Sequence, residues 1–288
     1  MRGTRWAVGL AAAALVMAGG RAADDGYDLR GPAPVKGQVY RSKSTFRVKG
    51  ADVTLTAAGN TLKLKQTMTV TTEEEEKVLA VDGRTVAKSQ AKVIKDRVVT
   101  VTDFNGDEQK QDEPGELEGQ VIVSTRTPDG KWKHVLVDEK PTEKQKKELD
   151  KRVGPENDDE LFPEGKVKVG HTWEVDAAHL KKFFGNTFTD VKGKLKQNFL
   201  RVEEVNGEMC AVVETTGPVT ATMKEDDGDL KVQLTLKATG WRSLKTGVEV
   251  KGKFEGKIRM SGKQKIDGAE ADIVMEGPIS GDGTTVLK

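Results

Sequence analysis

The clearest pattern in this chain is the alternation of apolar and polar residues. Over residues 61–72, Leu62, Leu64, Met68 and Val70 fall on one side, with Lys63, Lys65, Thr67 and Thr69 on the other. A period of two is the signature of a half-buried strand. The pattern returns in Leu230, Val232, Leu234, Leu236 and Ala238, a long strand ending at Trp241. It returns again in Phe254, Ile258 and Met260, with Lys253, Glu255, Lys257 and Arg259 facing outward. Weaker alternation marks 36–48, 84–103, 120–127, 131–138, 202–205, 208–214, 219–223 and 273–275. Turn signals separate these runs: Asp82-Gly83, Pro128-Asp129-Gly130, Asn206-Gly207, Asp226-Asp227-Gly228, Lys245-Thr246-Gly247 and Asp267-Gly268. Glycine accepts the positive φ such turns require, and proline pre-sets one dihedral. Two stretches break the pattern. The glutamates of 73–76 read as an acidic, solvated edge or turn, and 104–119 (FNGDEQKQDEPGELEG) as a surface loop.

Helical spacing is confined to the middle of the chain. A helix opens at Pro141, with Thr142 as cap, and ends at Lys151 and Arg152 before Gly154-Pro155. Cap, charge order and stop all agree. Its apolar stripe is narrow, mainly Leu149 and Val153. A shorter helix covers 176–184, capped by Asp176, with Ala177, Leu180, Phe183 and Phe184 on one side. Between the helices lies 161–175, LFPEGKVKVGHTWEV, which reads as a hinge between two β-meanders with Trp173 set to plug the core where they meet.

A sheet that is apolar on one face must cover that face or curl round its own contents. The prediction is a mainly β fold: a strongly curved antiparallel sheet of roughly ten strands, an open or half barrel, with one or two short covering helices. Two packed meanders are the alternative. The chain divides into 1–22, a signal peptide; 23–35, a flexible leader; 36–276, one β-rich domain joined at 141–175; and 277–288, a flexible Gly-rich tail.

Composition adds the compartment. Arg2 and Arg5 precede the apolar run 7–18, and Gly20 and Ala22 supply small residues for cleavage, as in a secretory signal. The run is too short to span a bilayer, which takes about 20 apolar residues. The expectation is export to the periplasm or medium, soluble, with no transmembrane segment after cleavage. Losing Arg2, Arg5 and Arg21 with the signal takes the formal charge from +1 to −2. That argues against nucleic acid as a partner, which calls for a strongly basic domain. A single cysteine, Cys210, excludes an internal disulfide framework. Aromatics make up only 5%, so the core must be aliphatic.

The segment Pro163-x-x-x-Val167-x-Val169-Gly170-x-Thr172-Trp173 resembles the P-x-x-x-V-x-V-G-D-T-W signature of uncharacterised bacterial exported proteins. The run 202–207 with the strand at 210–214, and Thr246-Gly247 with 253–261, resemble later parts of that family. The likeness spans roughly 36–275, and His171 stands where an acidic residue is commoner. It implies an envelope protein similar in outline to lipoprotein-carrier half barrels, with no activity to carry over. Fold analogy of that kind says little about function.

Reactive chemistry is sparse. His134, His171 and His179 match no zinc spacing. The nucleophile-elbow pattern G-x-S-x-G is absent. Asp103-Phe104-Asn105-Gly106-Asp107 places Gly fourth, where a calcium loop needs it sixth, so a tight turn is the better reading. Cys210 lies in a strand-like run and reads as a buried, inert thiol. No catalytic, metal or cofactor-binding residue is assigned, no cofactor is expected, and the ligand-binding residues stay unassigned. The partner that remains is a lipid-like ligand held on the concave face or, failing that, an envelope protein met by a self-filled structural or interaction protein. In the self-filled case Trp173, Trp241 and Phe254 would occupy the hollow.

Overall fold

A computed structural model describes residues 25–184, 187–225, 227–266 and 268–288. The signal segment 1–22, the first residues of the leader, Gly185, Asn186, and Asp226 and Asp267 of two predicted turns lie outside the described residues.

The alternating runs form strands, and the longest are long. After the short β1 (Tyr27–Asp28) come β2 (Val39–Ala57), β3 (Asn60–Asp82), β4 (Thr85–Phe104) and β5 (Asp107–Pro114). Next are β6 (Val121–Arg126), β7 (Trp132–Leu136), β8 (Lys166–Val167), β9 (Thr172–Asp176) and β10 (Phe188–Lys192). The last five are β11 (Lys194–Val205), β12 (Glu208–Met223), β13 (Leu230–Ser243), β14 (Glu249–Ile266) and β15 (Ala269–Leu287). Thirteen of them make one sheet in the order β7-β6-β4-β3-β2-β15-β14-β13-β12-β11-β9, with β5 beside β4 and β10 beside β12. Every pairing is antiparallel, and the path stays open between β7 and β9. The strand count exceeds ten because short edge strands carry too little alternation to register in the sequence.

Two runs of hairpins, β2–β7 and β9–β15, meet where β15 pairs with β2. The middle of the chain crosses from one sheet edge to the other. It carries α1 (Glu143–Lys151), whose Thr142 and Gln145 form the reciprocal cap. Leu149 of α1 is buried with Val93, Leu117, Ile122 and Leu136. The turn 177–180 and α2 (Lys181–Phe184) follow Asp176, whose carboxylate accepts from Ala178 N at 2.9 Å.

The inner face of the curved sheet holds the main core. Phe46, Val48, Val70 and Val98 from the first run join Val175, Leu195, Val219, Val232, Phe254 and Ile258 from the second. A bulge after Val48 sets Lys49 and Gly50 opposite the single Thr67 and returns Ala51, Val53 and Leu55 to the inner face. Gly50 takes a φ of +53° there.

Three segments differ from expectation. The loop predicted at 104–119 contains β5, paired along the outer half of β4 through the Asn105-Gly106 turn. Both faces of β5 are solvated, so no apolar alternation marked it. Residues 277–288, expected as a flexible tail, continue β15 to Leu287 between β14 and β2. Their glycines are packing positions: a Cβ on Gly281 would strike the Phe254 ring, and one on Gly277 would strike Ala51. The leader at 23–35 contains β1, which pairs with β8, and Leu29 is buried.

Candidate functional site

The two ends of the inner face differ in chemistry. On β3 the inward positions run Leu62, Leu64, Gln66, Met68, Val70, Thr72, Glu74, Glu76 and Val78, set by pairing of Leu64 with Val53, Val70 with Phe46 and Val70 with Val98. The face is therefore apolar at one end and acidic at the other. The glutamates read as a solvated edge lie mid-strand, and two of them point inward.

At the acidic end, residues 152–164 cross the inner face as a strap. Arg152 donates to both carboxylate oxygens of Glu74, at 2.8 and 2.7 Å. Burial opposes the Arg152 charge, but Glu74, Glu76 and Asp96 more than offset this and hold its pKa above the usual arginine value. Burial also raises the Glu76 carboxyl. Gly154 lies flat against the Trp132 ring, whose Nε1 donates to Glu156 at 2.6 Å. Asp159 accepts from Arg84 in the β3–β4 turn at 2.5 and 2.9 Å. Asp158 accepts from Arg242 of β13 at 2.5 and 2.9 Å. Leu161 packs on the main core, and its carbonyl accepts from Trp173 Nε1 at 2.9 Å. Trp173 thus touches both the main core and the smaller cluster around Phe199 and Leu29.

At the apolar end no ion-paired strap of this kind crosses the face among the described residues. Leu62 pairs with Leu55, which pairs in turn with Ile273 of β15. Phe104 follows Val98, Thr100 and Thr102 on the inward side of β4. Leu62 is 40% exposed and Phe104 43%. Together with the half-buried Leu55 and Leu64 they form an apolar lip beside the buried Val53 and Ile273. Its rim is charged, with Lys65 and Asp52 paired at 3.0 Å. Elsewhere, two open clefts of about 460 and 520 Å³ are lined mainly by glycine, polar and charged residues, one beside the leader and one near Lys224 and Asp229.

The three histidines have separate surroundings. His134 Nδ1 lies 2.8 Å from Ser124 Oγ on the neighbouring strand. Burial, then the Arg152 charge, lowers its pKa to about 4. His171 stacks on Trp173, and His179 lies 3.0 Å from Glu160. Among the described residues no group of three or more His, Cys, Asp or Glu could hold a metal ion. Cys210 is buried, and burial followed by Glu208 and Glu203 pushes its thiol up to about 11. A thiol so raised is a poor nucleophile at neutral pH. The Asp103 carboxylate accepts from Gly106 N at 2.8 Å, closing a tight turn.

Trp241, expected to help fill the hollow, lies on the opposite face. It packs with Cys210, Val212 and Val250, and Nε1 donates to Glu203 at 2.5 Å. Its odd position on a strand whose even residues face inward was the available signal. The same parity would have placed Glu74, Glu76 and Arg242 inside.

No protein-family model matches the chain, and a search of curated proteins finds no match. Among solved structures, a DUF1329 family protein from Desulfovibrio piger is 12% identical, with 88% of this chain and 85% of that one covered and a TM-score of 0.18. The COG4313 outer membrane channel from Pseudomonas putida F1 is 7% identical, with 89% and 97% covered and a TM-score of 0.26. Likenesses this weak carry no argument about function. Among the described residues, no helix is long and apolar enough to cross a membrane.

Proposed function

We propose that this chain is a non-enzymatic, exported binding protein of the bacterial cell envelope, holding a hydrophobic, lipid-like ligand at the open lip of its concave face. The observation that carries the reading is the exposure of Leu62 and Phe104 on a face whose other apolar residues are buried or half-buried. A contiguous exposed apolar patch, unlike scattered exposed residues, marks a surface that meets a partner or ligand. The secretory pattern of 1–22 and the resemblance of 163–173 to exported proteins support the compartment. The inert Cys210 and the absence of a nucleophile-elbow motif support a role without chemistry. The filled centre of the inner face favours a second reading, a structural or interaction protein that carries no ligand.

Native mass spectrometry of the mature protein, purified without detergent from its own envelope, separates them. Excess mass that organic extraction releases as a lipid-like species is the expected result. The bare chain mass would leave the second reading standing.

A further inference from the structure

Arg242 is shared by three parts of the chain. It lies on the inner face of β13, directly across from Glu249 of β14. Its guanidinium donates to both oxygens of Asp158 in the strap, to the main-chain oxygens of Leu29 and Arg30 in the leader, and lies 4.1 Å over the Phe162 ring. Gly240, two residues earlier on the same face, lacks the side chain that would collide with the Glu249 carboxylate. The chain therefore keeps a slot for a second carboxylate beside Arg242. One carboxylate belongs to the strap and the other to the sheet; Arg242 is 5% exposed, while the Asp158 side chain keeps 35% of its surface in water.

We propose that Arg242 and Glu249 form a proton-gated latch. While Glu249 keeps its proton, Arg242 belongs to Asp158 and holds strap and leader down. When Glu249 ionises it takes a share of Arg242, repels Asp158 and loosens both.

The charged groups around Glu249 are Arg242 from β13 and Asp158 from the strap, with the Arg84–Asp159 pair and Asp28 behind Asp158. Burial pushes the Glu249 carboxyl up to about 8; Asp158 adds to the rise and Arg242 opposes it. The sign follows from linkage. A carboxyl raised in the closed state favours closure at low pH, and that favour is lost as pH climbs through about 8. With an ordinary carboxyl in the open state, the opening constant grows about tenfold between pH 7 and 9. The strap suits such a role, because none of residues 152–163 is fully buried and its fastenings are mostly side-chain pairs. This inference stands apart from the reading of the lip.

Hydrogen exchange of the 152–163 and 27–31 amides, corrected for intrinsic rates, tests it at pH 7 and 9. Wild-type protection should fall about tenfold. Glu249→Gln should stay protected at both pH values, and Asp158→Asn should be weakly protected at both. Amides of β2 and β15 should not change. A flat wild-type profile, a fall in Glu249→Gln equal to wild type, or simultaneous loss in β2 and β15 would overturn the latch. Should Glu249→Gln fail to fold, wild-type-like behaviour of Asp158→Asn would overturn it as well.

Discussion

The two ends of β3 solve opposite problems with one strand. At one end Glu74 and Glu76 face inward, and buried carboxylates need partners, so a strap supplies Arg152 and a cover. At the other end Leu62 and Leu64 face inward, and β3 needs no such partner there. The closed end is fastened by ion pairs and the open end is left apolar. Polarity of the inner face thus decides where the chain must invest in covering segments and where apolar side chains are left exposed.

The closed end is most sensitive at Arg242. Arg242→Ala takes the Arg242 donor from Asp158 and the Leu29 carbonyl, and leaves the Arg30 carbonyl with Arg84 alone. Breaking a fully buried pair from one side costs roughly 3–5 kcal/mol, and with Asp158 35% exposed the loss here should be about 1–3 kcal/mol. Urea unfolding of this variant should show that loss, and a change under 1 kcal/mol would mean the strap is not held there. Gly154→Ala comes next, because its Cβ would overlap the Trp132 ring and lift the strap. Overpacking of that kind costs roughly 1–3 kcal/mol, read as a lower midpoint with an unchanged slope.

Acid should act on the closed end through His134. Its value of about 4, below the ordinary 6.5, means the folded state binds fewer protons than the unfolded state between those limits. The stability it contributes is present above 6.5 and is lost as pH falls toward 4. Unfolding curves across that window should flatten in His134→Gln relative to wild type. The smallest effect on stability belongs to the lip. Leu62→Glu with Phe104→Glu should stay within about 0.5 kcal/mol per site, as exposed positions do. A large loss there would show that the lip is part of the closed core.

The alternation that betrayed the strands also encoded which side each residue faces, and this set how much was legible. Leu230 to Ala238 placed β13 and its inner face correctly, and Thr142 and Asp176 marked the helix starts. Composition hid the rest. Four consecutive glutamates looked like a solvated edge, although Glu74 and Glu76 share the parity of Met68 and Val70. Glycines at 277, 281 and 283 looked like a tail, although each sits on an inward position beside Ala51, Phe254 or Ser44. β5 has no buried face and so no pattern. The strap ion pairs join residues far apart in the chain, such as Arg84 with Asp159, and no local signal foretells them.

The most direct test of the lip is displacement of a fluorescent fatty-acyl probe by unlabelled lipid, comparing wild type with the Leu62→Glu, Phe104→Glu pair. Saturable, displaceable binding is expected in wild type, at least tenfold weaker in the variant (about 1.4 kcal/mol), at matched thermal stability. Equal probe binding by both proteins, or none by wild type freed of bound lipid, would contradict it.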